Sequence, residues 1–283
     1  MAAKFFYRIL CGFFLGLSIF APGFSGSIVA IIMGVYRDLL RIMSNPFKRL
    51  KENIVFCLPL GIGALISAVL FVIAFKLLFE AHEKALYFLF AGLIAGNLPV
   101  IWAEVKKHEF KKRYLLAGAL AAAFALAILA LGPGQAAGGG IVTAGLPFLA
   151  LGGFVTGILA FVPGMSVSTV LIVMGIYAQL LFAAEALLRL DFTYLVPLGL
   201  FGACVVAGLV LASRGIRALF EKLPGYANTA VLGFMSGSFA GILIQGLRID
   251  DADFRLPAGG LMLAAGLAVS VLFIRLGKAM DKR

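Results

Sequence analysis

Six stretches of this chain, each roughly twenty residues long, run almost without charge. Their length decides the solvent, because about 20 apolar residues at ~1.5 Å rise per residue cross the ~30 Å hydrocarbon core of a bilayer. They lie at about 53–75, 85–103, 114–132, 193–213, 227–247 and 257–277. A soluble domain is about half apolar and about a quarter charged, whereas 63% of these 283 residues are hydrophobic and 13% are charged. So few charges cannot cover so much apolar surface, and a soluble globular fold is excluded. The net charge of +11 does not signal nucleic acid. Its Lys and Arg residues sit in short segments between apolar runs, where they hold cytoplasmic loops beside anionic lipid.

Two further apolar regions, about 5–40 and 143–188, are interrupted near the middle by Pro22-Gly23 and by Pro163-Gly164. Proline removes a backbone donor and glycine admits unusual dihedrals, so a helix is expected to stop and restart at each. Basic clusters at Lys4/Arg8, 37–51, 106–113, 214–222 and 275–283 mark the cytoplasmic side, while 132–142 is uncharged and 248–255 carries Asp250, Asp251 and Asp253. With those assignments both interrupted regions enter and leave on one face, the first from the cytoplasm and the second from outside. Both termini are then cytoplasmic. The N-terminal stretch superficially resembles a secretory leader, but it lacks a small-x-small cleavage site and forms part of an internal repeat, so it is expected to be retained.

That repeat is the most informative feature of the chain. Residues 22–40, PGFSGSIVAIIMGVYRDLL, align without gaps on 163–181, PGMSVSTVLIVMGIYAQLL, with 11 of 19 positions identical at an offset of 141. Gly16, Phe20, Gly92 and Gly96 recur at the same offset as Gly157, Phe161, Gly233 and Gly237, and Pro59-Leu60-Gly61 echoes Pro197-Leu198-Gly199 at a slightly different one. Shared hydrophobicity does not explain matched Pro, Gly, Ser and Tyr. The fold class expected is an all-α polytopic membrane protein made of two inverted-topology repeats, 1–132 and 133–283. Each is a re-entrant helical hairpin followed by three transmembrane helices, a plan recurrent in secondary transporters.

Each hairpin puts a polar patch just after its break: Ser25, Gly26 and Ser27 in the first, Ser166, Ser168 and Thr169 in the second. A helix starting there leaves its first four N–H groups without intrahelical partners. Twelve residues from Ser25 to Tyr36, read as one continuous helix, reach about 18 Å and bring that start to mid-depth. Free N–H groups, hydroxyls and the positive helix end suit an anion, and two such ends from opposite faces would share one central phosphate. Glycine and serine also serve close helix packing, and Gly12, Gly16 and Gly34 fit that role. Tyr36 and Tyr177 are read as closing the hairpin helices, as interfacial anchors or gates. Arg37 and Arg41 sit at the cytoplasmic mouth, as orientation signals or head-group contacts.

The two motifs resemble those of the bacterial polyprenyl-phosphate transporter family, with the similarity spread over essentially the whole chain. The resemblance implies a flippase returning undecaprenyl phosphate, the lipid carrier of cell-wall synthesis and peptidoglycan recycling, from the outer to the inner leaflet of the cytoplasmic membrane. It implies a phosphate site at Pro22, Gly23, Ser25, Gly26, Ser27, Pro163, Gly164, Ser166, Ser168 and Thr169. The implied partners are that lipid and the surrounding membrane lipids, with no cofactor; a homo-oligomer is compatible with it. The chain departs from the family pattern at Ser27 and Val167, where glycine is usual.

A membrane phosphatase acting on polyprenyl diphosphate is the enzymatic alternative, but hydrolysis needs a nucleophile with an activating partner. The motifs hold Ser, Thr and Tyr without His, Glu or Arg at membrane depth, so a non-enzyme is expected. A channel or carrier for a small anion would use the same helix ends. Cys11, Cys57 and Cys204 lie in apolar runs as packing residues, and His82 and His108 are too isolated for a metal site. Glu185 and Asp38 are placed toward the mouths, and Lys76, Glu80 and Glu104 at span ends, where long side chains reach water. Asn97 and Gln245 either brace helices or line a cavity, with bracing favoured.

Overall fold

The computed structural model describes residues 2–21, 26–44, 48–107, 111–131, 145–159, 166–251, 254 and 256–281, and among them regular structure is helical throughout. The first half contains α1 (Ala2–Phe20), α2 (Gly26–Ile32), α3 (Tyr36–Ser44), α4 (Leu50–Lys106) and α5 (Tyr114–Leu131). The second contains α6 (Leu146–Leu159), α7 (Val167–Val173), α8 (Tyr177–Leu188), α9 (Leu195–Lys222), α10 (Pro224–Arg248) and α11 (Leu256–Asp281). Four helices, α4, α9, α10 and α11, are long and apolar enough to cross a membrane, and α7 with α8 forms a further apolar pair bent by 110°.

α4 has 57 residues, a length of about 85 Å if straight. It breaks instead at His82, whose backbone is non-helical at φ −145° and ψ 46°. Its two arms carry the first two expected spans. The same conformation, φ −133° and ψ 51°, separates α9 from α10 at Leu223, 141 residues further on.

Small residues set the helix seams, because close backbone approach replaces the hydrophobic drive that lipid cannot supply. A Cβ on Gly12 would run into the Leu60 carbonyl, and one on Gly153 into Phe201. Gly16 meets Ala64 and Ser67, while Gly157 meets Val205. These α1–α4 and α6–α9 seams keep the 141-residue offset, which corrects the Pro-Leu-Gly echo: Leu60 is matched by Phe201, not by Leu198. The backbone contacts outweigh a three-letter likeness. Further along, Gly92 and Gly96 seat α4 on Leu263 and Ser270 of α11, and Gly233 and Gly237 seat α10 on Gly118 and Ala122 of α5. Asn97 donates to the Leu93 carbonyl at 3.0 Å and to Ser270 Oγ at 3.2 Å, so it braces α4 to α11.

The two interrupted regions contain a second break that the sequence reading ran through. Gly34 and Gly175 adopt φ of +67° and +72°. Gly34 N–H bonds the Ile31 carbonyl at 2.9 Å and Val35 N–H the Ala30 carbonyl at 3.0 Å; Gly175 and Ile176 repeat this onto Ile172 and Leu171 at 3.0 and 3.1 Å. This is a left-handed glycine cap, sealed by an apolar contact across it, here between the buried Val35 and Ala30. The expected continuous helix from Ser25 to Tyr36 is therefore corrected: α2 and α7 are seven residues each, about 10 Å long. Tyr36 and Tyr177 open α3 and α8 rather than closing the preceding helices. Gly34 is not a packing residue, since an added Cβ there meets nothing within 4 Å.

Candidate head-group site

The second motif is buried in the protein interior. Ser166 stands before α7 in extended backbone (φ −101°, ψ 132°), and its carbonyl accepts the N–H groups of Thr169 at 3.1 Å and Val170 at 3.4 Å. The Ser166 and Ser168 hydroxyls are 2.7 Å apart. Ser168 and Thr169 are buried, and Thr169 Oγ1 has no hydrogen-bond partner. A buried hydroxyl left unpaired costs about 1–3 kcal/mol, so this patch has unspent capacity to donate. Val167 takes the first helical position.

Of the first motif, Gly26 begins α2 with its Cα side 3.3 Å (as a built Cβ) from Ser18 Oγ on α1, and Ser27 follows in the same helix. Pro22, Gly23, Ser25, Pro163 and Gly164 lie outside the described residues. The halves meet at Tyr177. Its hydroxyl donates to the carbonyl of Phe20, the last residue of α1, at 2.6 Å. Its ring stands edge-on to Phe75 and Phe90, with centroids 5.3 and 6.1 Å away. An aromatic row Phe20–Phe71–Phe75 stacks beside it at 5.5 and 6.1 Å. Tyr177 is thus no interfacial anchor: it is buried and fastens the start of α8 to the end of α1, just before the first Pro-Gly.

The two hairpins differ sharply in environment. α8 presents buried Tyr177, Ala178, Gln179, Leu180 and Leu181 to the core, and both polar atoms of the Gln179 amide are buried without a partner. α3 is half open instead. Arg37 is exposed, and Arg41 pairs with Asp38 at 3.2 Å, their side chains 54% and 45% exposed. Arg41 also lines a polar cavity of about 250 Å³ with Lys48, Arg49 and Asn53. The expected mouth residue Arg41 therefore belongs to a three-cation cluster, away from Tyr177.

One element was misplaced by sequence reasoning. Glu185 is buried, accepts from Lys76 Nζ at 3.1 Å and is held in addition by Arg189 on its own helix. Lys76 does not reach for water at a span end; it ties α4 to α8. The available signal was complementarity, since each is a lone charge at the edge of an otherwise apolar run and the two have opposite sign.

Helices that cross a bilayer, two glycine-capped hairpins and a buried hydroxyl cluster at their junction define an all-helical, multi-pass membrane protein with an internal polar site. Within that class, residues 15–248 match the model of the undecaprenyl phosphate translocase-like family, and the chain belongs to that family. It is similar to a polyprenyl-phosphate transporter of Staphylococcus aureus (strain NCTC 8325 / PS 47), 28% identical over 237 residues that cover 82% of this chain and 83% of the relative. No solved structure matches the chain.

Proposed function

We propose that this protein is a transporter of a polyprenyl phosphate, undecaprenyl phosphate in a bacterial cytoplasmic membrane, moving it from the outer to the inner leaflet. Family membership and the named function of the Staphylococcus relative support the substrate class. The observation that carries the mechanism is the start of α7: Ser166, Ser168 and Thr169 sit in the protein core with one hydroxyl unpartnered. An ionised phosphate is prohibitively costly in hydrocarbon, so a transporter need only shield the head group while the isoprenoid tail stays in lipid. The helix start of the second hairpin supplies N–H groups and hydroxyls, and Pro22–Ser27 supplies the counterpart from the other half. The recurrence of both breaks and of the glycine seams at one offset supports two like halves. Basic loops facing the cytoplasm make those halves inverted, with both termini inside. The Arg41, Lys48 and Arg49 cavity then lies at the cytoplasmic mouth, where an anionic head group would be met or released.

The chemistry supports transport over hydrolysis. The recorded partner of the Ser166 hydroxyl is Ser168, and the carboxylate in the same hairpin, Glu185, is engaged by two cations rather than poised as a base. The test is flux through Ser25→Ala/Ser166→Ala in proteoliposomes. Transport is expected to fall about tenfold or more, the loss of two charge-assisted hydrogen bonds, with an unchanged melting profile. Wild-type flux in that variant would remove the hydroxyls from the mechanism.

A further inference from the structure

We propose that the apolar groove between α5, α6, α9 and α10 seats a section of the isoprenoid chain of the transported lipid, an inference resting on the reading above. The groove encloses about 260 Å³, lined among others by Ile216 and Phe220 of α9, Val231 and Phe234 of α10, Ala121 of α5 and Leu159 of α6. That is just under the ~300–1,000 Å³ of small-molecule sites, enough for part of a long chain. Its floor is closed, with Val231 and Phe234 at 6% and 5% exposure, and its rim is open, with Phe124 and Leu219 at 51% and 42%. The lining offers no polar side chain, so neither water nor a head group finds a partner there.

The internal repeat shows what this position does in the other half. Ile216, Phe220 and Val231 stand 141 residues after Phe75, Phe79 and Phe90. Those three rings are covered by α8: Tyr177 packs on Phe75 and Phe90, and Phe182 on Phe75 and Phe79 at 6.5 and 5.6 Å. The segment equivalent to α8 is α3, which has Arg37, Asp38 and Arg41 where α8 has Ala178, Gln179 and Phe182. Burying those charges in an apolar groove costs several kcal/mol per ion, and Arg41 and Asp38 are already paired with each other in the open. The groove therefore keeps the shape of a helix-docking site that its own helix cannot occupy cheaply, and an apolar chain can. It is also in the right place. α7 packs on α5, α6 and α10, three of the four helices that wall the groove. Leu159, on the groove wall, lies seven residues before Ser166. A lipid whose phosphate sits at the second motif has its tail beside this opening.

The experiment compares two ligands with the same head group, undecaprenyl phosphate and geranyl phosphate, binding to the full-length protein in nanodiscs by native mass spectrometry. Ala230→Trp fills the groove from the α10 wall, and Val231→Phe installs the residue type of the first half. Both variants are expected to weaken undecaprenyl phosphate about tenfold, the worth of two or so buried methylenes, and to leave geranyl phosphate unchanged, which also reports an intact fold. Unchanged undecaprenyl phosphate binding, or equal losses for both ligands in both variants, would overturn the groove while leaving the transport reading standing. A disulfide forming in Tyr36→Cys/Ile216→Cys would overturn it too, by showing α3 to be the occupant. A wild-type protein that binds neither ligand would instead sink the transport reading, and the groove assignment with it.

Discussion

Gly34 and Gly175 hold their places through backbone rather than size. At +67° and +72° they occupy the left-handed region, which costs an L-residue about 1–2 kcal/mol. Gly34→Ala, with nothing near the new methyl, isolates that cost; it should lower stability by about 1 kcal/mol, and Gly34→Asn by less, read as detergent-solubilised melting. An unshifted Gly34→Ala would mean that the cap is not formed in the membrane protein. Glu185 poses a second question at this scale. Breaking a fully buried ion pair by removing one partner costs about 3–5 kcal/mol. The Lys76 side chain is 25% exposed and Arg189 remains, so Lys76→Met should cost less, about 1–2 kcal/mol. Lys76→Met/Glu185→Leu should recover part of that loss; strictly additive losses would show the pair to be uncoupled. The motif serines and both tyrosines were legible in the sequence because they recur at one offset. The role of Gly34 was not, because a helix-compatible apolar pattern runs unbroken through it and glycine in a membrane helix reads first as packing. The Lys76–Glu185 tie was also hidden, since pairing across 109 residues depends on how α8 folds back.

Among elements, the glycine seams decide which helices touch. Gly157 presses on Val205 of α9 without room for a Cβ, whereas Gly199 on α9 has open space around it. Gly157→Leu should therefore force α6 from α9 and cost about 3 kcal/mol or more, at or beyond the usual range for overpacking. Gly199→Leu should be nearly neutral; similar melting of the two variants would contradict the seam. The six spans were readable from hydropathy because lipid demands length and apolarity together. The break at His82 was not, as neither Pro nor Gly marks it. Its counterpart Leu223 is followed by Pro224 at the first helical position, so the repeat offset carried a signal that the local sequence lacked.

For the molecule as a whole, the two hairpins are not in equivalent states. α7 and α8 are built into the core, while α2 lies against α1 and α11 and α3 is half exposed. Inverted halves require the matched breaks His82 and Leu223 to face opposite sides. In a variant with Cys11, Cys57 and Cys204 replaced, a thiol at 82 should react with impermeant reagent from outside the cell. One at 223 should react from the cytoplasm alone, and labelling of both from one side would contradict inversion. The repeat and the fold class were visible in the sequence; the unequal settings of the hairpins were not, because near-identical motifs give no sign of which one a given state buries.

The central claim is transport without chemistry, and leaflet exchange of undecaprenyl phosphate by the purified protein in proteoliposomes tests it most directly, with phosphate release from the diphosphate followed in parallel. The account expects exchange that depends on the protein and no phosphate release. Phosphate release, or exchange no faster than in protein-free vesicles, would contradict it.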